Sequence, residues 1–596
     1  MKISDRIEKL RKRMSEEGIG VCLIPTEDYH GSEYIADYFK VREYFSGFTG
    51  SAGSLVVSSK KAALFTDSRY FIQAKNQLEN TGIELVKMGT KDAVSIDQYI
   101  LDLLSPNDIL AFDGRVLNAL TGEKLKKTID SKGCSIKTDF DPAEGIWENR
   151  PLMEFGAQRI LDEKYCGEST FSKISRIREM MGKLGASVHV ISALDEIAWI
   201  LNLRGCDIEC NPVFFAYLVI TENVASLYAN VLDEHIKDYL DGFGVKVFDY
   251  TEFYAASGEN ICTKQRVLLD KARINMQIYD SLSKCNEIIW DNDPAIAMKA
   301  IKNDSEIEAI HCANVKDGVA MVRFNKWLDE AVHKGESLSE ISVSDKLHEL
   351  RLMDEEMLGL SFETISAYGK NGAIVHYSAT PETNLKIIPG SFLLMDSGAQ
   401  YYGGTTDVTR TYAIGEVDEK LKHDYTMVLK AMLKIMNFQF PLGADSHNVD
   451  TVGRMFFWER GMDFGHGTGH GIGAGLNVHE NPVFISWKSL KTPTVFEPGM
   501  LCSDEPGIYI EGEYGIRLET DVLCENRIEN EYGSYLGFRP MTFVPIDTKP
   551  IMLDDMDEDS IRYLNEYHRV VFDELSPFME GDELEYLKKI TKPVEK

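Results

Sequence analysis

The segment that most constrains this 596-residue chain runs from Phe464 to Glu480, where three of the protein's 13 histidines lie among six glycines. Every second residue from Gly465 to Gly475 is glycine, which weakens helices and strands but lets a backbone approach a ligand closely. His466 and His470 have the four-residue spacing of a zinc-binding helix, yet the alternating glycines and the missing glutamate exclude that helix. The segment therefore predicts a binding site rather than a packed core.

A predicted hairpin upstream of this segment carries two aspartates. Residues 392–396 form a short apolar strand, residues 400–404 supply turn residues, and residues 405–414 are rich in β-forming side chains. Folding the chain about that turn places Asp396 roughly opposite Asp407, where cross-strand Cβ atoms lie about 4.5–5.5 Å apart and like charges repel. A bound cation would relieve the repulsion.

A second predicted hairpin, downstream, carries two glutamates. Glu505 leads into the strand that ends at Gly512, and the chain returns through residues 515–523, so that Glu505 and Glu519 are symmetric about Gly512. Strand alternation places Glu519 with Arg517 and Asp521 on the face opposite the apolar side chains. We therefore expect these carboxylates to point together, away from the apolar side.

The two hairpins and the glycine-rich segment supply four carboxylates, one imidazole and no thiolate. Ligand sets of this kind suit hard or borderline divalent ions, with manganese ahead of zinc, while cobalt, iron and zinc stay open. Four negative charges balance two divalent ions, and without metal the carboxylates would raise one another's pKa. A single acid of this kind is more often a solvated hairpin residue, but the combination predicts a two-metal site.

In their order along the chain, these motifs resemble those of the pita-bread metallopeptidases, the family of methionine aminopeptidase, prolidase, aminopeptidase P and creatinase. Within that family the chain is most similar to the long, three-domain cytosolic form of aminopeptidase P, over nearly its whole length. The family binds metal through two aspartates, a histidine and two glutamates, which implies the ligands Asp396, Asp407, His470, Glu505 and Glu519. It also implies substrate-contacting histidines, which match His376, His466 and His479.

The resemblance further implies a metal-dependent aminopeptidase that hydrolyses the N-terminal Xaa-Pro bond of peptides. Asp407 and Glu519 would bridge two ions, most suitably Mn²⁺, and a water between the ions would become the nucleophile. Glu505 would transfer the proton, and His376 and His479 would contact the tetrahedral intermediate and the leaving group. Apart from the resemblance, we expect Arg517, on the face of Glu519, to support the ligands, and Tyr377 with the histidines of the glycine-rich segment to form a wall for proline.

Three alternatives stay open. Methionine aminopeptidase uses the same ligands but does not need about 300 preceding residues, and prolidase uses them on dipeptides and usually has one N-terminal domain. A peptide-binding scaffold could keep the fold without turnover, although relatives of that type usually lose ligands and this chain has all five.

The predicted fold class is α/β (α+β), with two creatinase-like N-terminal α/β domains followed by a pita-bread catalytic domain. The predicted divisions are residues 1–150, 151–304, 305–536 and a C-terminal extension at 537–596. The N-terminal pair is predicted from a repeat: residues 44–57 are similar to residues 199–220, about 160 positions later. Ser305 to Glu308 has a capping-box pattern, so we expect the catalytic domain to begin there with a helix.

The net charge of −31 argues against nucleic acid or an anionic membrane as a partner. Residues 1–18 read as a charged helix without the apolar centre of a signal peptide, and no run reaches the roughly 18 apolar residues that cross a bilayer. We therefore expect a cytoplasmic protein whose partners are peptides with proline at the second position. The resemblance alone implies a homodimer.

Overall fold

The computed structural model describes residues 1–231, 233–259, 261, 263–488 and 493–596. The chain forms two compact units. The first unit comprises residues 1–160 and 168–296, and the second comprises residues 161–167 and 297–596. Every residue proposed above for the metal site belongs to the second unit.

The first unit contains two six-stranded sheets with the same topology. Ranked along the chain, the strands of both sheets lie in the order 4-3-2-1-5-6, and corresponding pairs are parallel or antiparallel alike. The strands of the first sheet are Ile19–Pro25, Ser54–Ser58, Ala62–Thr66, Glu84–Lys87, Ile109–Ala111 and Ser135–Lys137. Those of the second are Val188–Ile191, Ala216–Thr221, Ala225–Ala229, Val245–Phe248, Arg266–Leu269 and Glu287–Trp290. The predicted repeat is thus confirmed, because its two similar segments supply the second strand of each sheet.

Helices accompany both sheets of this unit. The predicted N-terminal helix is confirmed as Ile3–Glu16, and it buries Ile7, Leu10 and Met14, which recur at helical spacing. The others of seven or more residues are Phe71–Gln77, Ile96–Leu103, Ala119–Asp130, Thr170–Leu184, Leu194–Leu201, Glu234–Gly242, Phe253–Glu259 and Met276–Leu282.

Two sheets of the second unit carry the metal-site motifs. A three-stranded antiparallel sheet consists of Ile365–Tyr368, Ser391–Ser397 and Val408–Ile414. A six-stranded sheet runs, in spatial order, through Gln439–Pro441, Gly533–Pro540, Thr520–Asn530, Leu501–Asp504, Gly469–Gly471 and Glu480–Ile485. A separate hairpin, Gly507–Ile510 with Tyr514–Arg517, connects two strands of the larger sheet.

The helices of ten or more residues in the second unit pack on these sheets or on one another. They are Asp304–Lys334, Glu340–Arg351, Glu419–Met436, Ser446–Trp458, Glu558–Leu575 and Gly581–Ile590. The methionine-rich helix Glu419–Met436 lies in the main core and buries Met427, Met432 and Met436, as its helical apolar spacing predicts. Within the described ranges, no helix has both the length and the apolar character needed to span a membrane.

The predicted capping box at the start of Asp304–Lys334 is wrong by two residues. Asn303 is the N-cap, its side-chain oxygen accepts hydrogen bonds from the backbone N–H groups of Ser305 and Glu306, and the Glu306 carboxylate accepts one from the Asn303 N–H. Asn303 with Glu306 and Ser305 with Glu308 both have the spacing of a capping box, and asparagine caps a helix at least as well as serine.

Candidate metal centre

The aspartate hairpin, defined as Ser391–Ser397 with Val408–Ile414, differs from the predicted register. Asp396 pairs with Thr409, and Asp407 lies immediately before the second strand, so the two aspartates are offset rather than opposite. The turn is centred on residues 402 and 403, and Gly403 has a φ of 76°, the left-handed conformation that a tight hairpin turn requires. Moving the turn centre by one position changes the partner of each residue by two.

The glutamate hairpin follows the predicted register. Asp504 pairs with Thr520 and Gly507 pairs with Arg517, so Glu505 and Glu519 lie across from each other between these two pairs. Gly512 lies at the turn with a φ of 80°. The symmetry about Gly512 that the sequence predicts is therefore confirmed.

The glycines of the central segment let His470 lie on a strand between two others. Gly469–Gly471 pairs with both Leu501–Asp504 and Glu480–Ile485. A Cβ on Gly469 would come within 2.0 Å of the Ser503 carbonyl oxygen, and one on Gly471 within 2.3 Å of the Glu480 carbonyl oxygen. Only glycine fits at these positions, so the alternating pattern reflects close strand packing on both sides of the histidine.

Three of the five predicted ligands form a compact cluster. One donor atom each from Asp407, His470 and Glu519 lies within 4.8 Å of the others. His470 Nε2 is 3.4 Å from Asp407 Oδ2 and 3.7 Å from Glu505 Oε1, which places the fourth ligand beside them. The fifth, Asp396, is buried, and its Oδ1 has no hydrogen-bond partner among the described residues. Such an orphaned buried oxygen is unusual unless it serves another ligand.

The electrostatics of the cluster favour cation binding. Burial raises the pKa of Asp407 well above its usual value, and Asp396, Asp521 and Glu505 raise it further. Burial also raises the pKa of Glu519 well above normal, with further contributions from Asp407 and Glu505. The pKa of Glu505 is raised by burial, against the opposing influence of His470 and Arg517. Four crowded carboxylates and an imidazole thus fit two divalent cations, which would relieve this repulsion.

Arg517 lies where the sequence predicts, beside the ligands. Its Nη2 donates to Asp396 Oδ2, its Nη1 to the Tyr509 hydroxyl at 2.8 Å, and its Nε to Thr409 Oγ1 at 3.2 Å. Thr409 Oγ1 in turn donates to Glu519 Oε2 at 2.7 Å. Thr409 is absent from the predicted site, although strand alternation puts it on the face of Asp407, two residues away.

The three predicted substrate histidines lie in different settings. His466 Nε2 is 2.7 Å from the Tyr509 hydroxyl, and its Nδ1 is 3.9 Å from Glu505 Oε2. The His479 ring is centred 4.3 Å from the His470 ring, at 81° to it. His376 is half-buried in the loop after the short 3₁₀ turn Gly369–Ala373. The contact with Tyr509 could not be found from sequence spacing, because 43 positions separate it from His466.

The position of Tyr377 differs from its predicted place in a wall for proline. It is buried against Ile365 and Leu394, and its hydroxyl donates to Glu340 at 2.9 Å. Burial raises the pKa of Tyr377. The side chain is thus part of the interior that supports the loop containing His376.

A buried ion pair that was not predicted from the sequence supports the glycine-rich segment. Arg454 pairs with Asp450 at 2.9 Å, and it donates to the Phe464 and His466 carbonyl oxygens at 3.0 and 2.7 Å. Asp450 also accepts from the Thr468 hydroxyl. The i, i+4 spacing of this pair on a helix indicates the ion pair, but nothing in the spacing indicates its distant partners.

A second group of donors, on the helix Asp304–Lys334, is explained by hydrogen bonds. Cys312 Sγ donates to Glu308 at 3.6 Å, and His311 Nε2 is 3.1 Å from a Glu574 carboxylate oxygen. Glu308 and Cys312 are exposed. We therefore assign no metal to this group.

Matches to known protein families extend over nearly the whole chain. Residues 308–526 match metallopeptidase family M24, and residues 534–594 match the C-terminal region of peptidase M24. Residues 6–147 and 149–306 each match a creatinase/prolidase N-terminal domain. These matches confirm the predicted fold, two creatinase-like domains followed by a pita-bread catalytic domain.

Full-length relatives agree with these matches. Aminopeptidase P2 of Arabidopsis thaliana is 35% identical, over 100% of this chain and 89% of the relative. A probable Xaa-Pro aminopeptidase P of Laccaria bicolor is 37% identical, over 99% of this chain and 94% of the relative. The crystal structure of X-prolyl aminopeptidase from Caenorhabditis elegans, described as a cytosolic enzyme with a di-nuclear active site, superposes with a TM-score of 0.95 at 30% identity, over 100% of both chains.

Proposed function

This chain belongs to metallopeptidase family M24, and we propose that it is an Xaa-Pro aminopeptidase that releases the first residue of peptides whose second residue is proline. Its similarity to aminopeptidase P proteins extends over the N-terminal domains as well as the catalytic domain. We also keep the four divisions predicted from the sequence, at residues 1–150, 151–304, 305–536 and 537–596, as a proposal.

The observation that carries the proposal is the convergence of four carboxylates and one imidazole in one buried cluster. We assign two divalent ions to Asp396, Asp407, His470, Glu505 and Glu519. The di-nuclear active site described for the similar nematode enzyme supports this number. We propose manganese as the preferred metal because four of the five ligands are carboxylates, which suit harder ions better than thiolate-rich sites do.

When bound, such ions would polarise the scissile carbonyl and make a water more acidic. The protein's own groups would carry the remaining steps. Glu505 would accept the proton of the attacking water and deliver it to the leaving amine. His376 and His479 would donate hydrogen bonds to the oxyanion and the leaving group, and Tyr509 would orient His466.

Arg517 would orient Asp396, because it donates to one carboxylate oxygen and leaves the other without a hydrogen-bond partner among the described residues. A residue in this position changes metal affinity and activity without touching substrate. Thr409 would act likewise on Glu519, through its 2.7 Å hydrogen bond.

Proline specificity follows from the chemistry of the Xaa-Pro bond. This bond is a tertiary amide, so the substrate offers no N–H at proline, and the ring fixes φ near about −65°. Recognition must therefore use ring shape and an extended preceding residue. We propose His376, His466 and His479 as the polar part of that recognition, while Tyr377 supports the loop from within.

We further propose that the protein is a cytoplasmic homodimer. The similar nematode enzyme is described as cytosolic. Met455, Trp458 and Trp487 are each about two-fifths exposed, and the two indole rings are centred 5.7 Å apart. We place the dimer interface at this exposed aromatic cluster, since contiguous apolar surface is where protein partners bind. Light scattering at micromolar concentration should give twice the mass of one chain, and a monomer would refute the dimer.

A four-peptide assay tests the function. With manganese present, the enzyme should release arginine from Arg-Pro-Pro faster than it cleaves Arg-Ala-Ala, Met-Ala-Ser or the dipeptide Ala-Pro. Faster cleavage of Met-Ala-Ser would indicate methionine aminopeptidase, and cleavage of Ala-Pro alone would indicate prolidase. No cleavage of any peptide by metal-loaded protein would support the non-catalytic scaffold.

A further inference from the structure

Glu340 is a buried carboxylate whose two oxygens accept hydrogen bonds from several donors. It is the first residue of the helix Glu340–Arg351 and is 0% exposed. Its Oε1 accepts from the Tyr368 N–H at 2.7 Å and the Asn371 amide at 3.0 Å. Its Oε2 accepts from the Tyr377 hydroxyl at 2.9 Å and the Leu385 N–H at 2.7 Å.

These donors define one loop, residues 369–384, here called the His376 loop. Tyr368 precedes the loop, Leu385 follows it, and Asn371 and Tyr377 lie within it. The Tyr377 hydroxyl also lies 2.9 Å from the Asn371 amide nitrogen and 3.0 Å from Thr383 Oγ1. The carboxylate therefore fixes both ends of the loop and the residue next to His376.

The other side of the His376 loop packs against the strand Tyr514–Arg517, which leads to the ligand Glu519. A Cβ on Gly372 would come within 2.8 Å of the Gly515 nitrogen, so the two backbones touch without intervening side chains. Arg517 Nη2 lies 3.4 Å from the Val375 carbonyl oxygen. The loop is thus held between Glu340 and the glutamate hairpin, and its position is set relative to the metal ligands.

We propose that Glu340 is a positioning residue that acts through Tyr377 and Asn371 to hold His376 at the metal centre. This inference rests on the proposed function, in which His376 stabilises the transition state. All four groups that face Glu340 are hydrogen-bond donors, and a carboxylate offers only acceptors. Glutamine is therefore not a conservative replacement here, because its amide NH₂ would face a donor and leave buried groups unpaired.

A double-mutant cycle tests the proposal. The constants kcat and KM for Arg-Pro-Pro and the metal content are measured for wild type, Glu340→Gln, His376→Ala and the double variant. Glu340→Gln should lower kcat by about 10–100-fold, the loss expected when a catalytic group is misplaced by about 1 Å, with little change in KM or bound metal. In the His376→Ala background, Glu340→Gln should have no further effect on kcat.

The positioning role would be overturned if Glu340→Gln lowered kcat by as large a factor in the His376→Ala background as it does when His376 is present. Glu306→Gln is the matched control, because Glu306 is also a buried glutamate in the first turn of a helix, and its carboxylate accepts a hydrogen bond from the N–H of its own N-cap residue, Asn303. It should lower stability without coupling to His376. Wild-type protein that releases no arginine would instead overturn the proposed function.

Two further measurements keep the test valid if Glu340→Gln folds poorly. Tyr377→Phe removes one of the four donors, so it should lower kcat less than Glu340→Gln does, and again only when His376 is present. Amide hydrogen exchange in residues 371–385 should be faster in Glu340→Gln than in Glu306→Gln. Equal exchange in the two variants would contradict the proposed hold of Glu340 on the loop.

Discussion

Replacing Arg517 with methionine tests how the buried charges of the metal centre are balanced. Arg517 is 1% exposed, and its guanidinium donates to Asp396, Tyr509 and Thr409. Methionine fills part of the same volume but leaves the Asp396 carboxylate without its cationic partner. Removing one member of a buried ion pair typically costs about 3–5 kcal/mol, because the remaining charge stays buried and uncompensated.

This free-energy cost can be converted to a change in the melting temperature, Tm. The second unit has about 300 residues, and unfolding releases about 2.1 cal/mol/K per residue, so each kcal/mol lowers Tm by roughly 1.6 °C. The Arg517→Met variant should therefore melt about 5–8 °C below wild type in the presence of a chelator. Added Mn²⁺ should narrow the gap, because Asp396 then regains a cationic partner.

Scanning calorimetry of both proteins, with chelator and with Mn²⁺, measures these differences. Arg569→Met is the control: Arg569 pairs with Asp573 on an exposed helix surface at 2.8 Å. Its loss should lower Tm by about 1 °C or less. An Arg517→Met variant that melts like this control in chelator, or a Tm difference that Mn²⁺ leaves unchanged, would refute the assigned role of Arg517.

Three other predictions concern catalysis, pH and assembly. Glu505→Gln should lower kcat on Arg-Pro-Pro by about 10²–10⁴-fold. Asp521→Asn should retain most activity, since burial and Glu519 raise the pKa of Asp521 and favour its neutral form. Equal losses of activity in the two variants would show that the roles of Glu505 and Asp521 are misassigned. The folded-state pKa values of Asp407 and Glu519 are raised, so protonation of these carboxyls stabilises the metal-free fold. This stabilisation is complete below the unfolded-state pKa values of about 3.9 and 4.3 and is lost as pH rises through the folded-state pKa values. The difference in Tm between metal-loaded and metal-free protein should therefore widen with pH. A constant difference would contradict this account, and Asp407→Asn should reduce the widening. Trp458→Glu should dissociate the dimer in light scattering while Tyr532→Glu, at an exposed residue elsewhere in the sequence, should not; an intact Trp458→Glu dimer would show that the interface lies elsewhere.

The sequence predicted features that depend on short spacings. The register of the glutamate hairpin could be predicted because one glycine, Gly512, marks its turn, and the position of the turn determines every cross-strand pair. The repeat of the first unit was visible because equivalent strands kept similar side chains. In the aspartate hairpin, several neighbouring residues were suitable for the turn, and the predicted turn centre was one position too early. The predicted cross-strand partner of Asp396 was therefore Asp407, whereas the observed partner is Thr409.

Contacts between distant segments could not be predicted in the same way. The hydrogen bonds from Tyr509 to His466, from Arg454 to the glycine-rich backbone, and from Tyr377 to Glu340 join residues of different elements. No period or motif encodes such pairs, because they depend on how strands and helices pack. Tyr377 shows the consequence: its position beside His376 predicted a substrate wall, whereas packing directs its hydroxyl to a buried carboxylate.

The most direct test of the central claim is a metal titration of chelated protein, with arginine release from Arg-Pro-Pro and Arg-Ala-Ala measured in the same samples. Activity on Arg-Pro-Pro should require added Mn²⁺ and reach its maximum at two equivalents per chain, with Arg-Ala-Ala cleaved much more slowly throughout. Asp396→Asn should bind metal less tightly and shift the curve to higher Mn²⁺. Full activity before metal is added, or equal rates on the two peptides, would contradict a two-metal Xaa-Pro aminopeptidase.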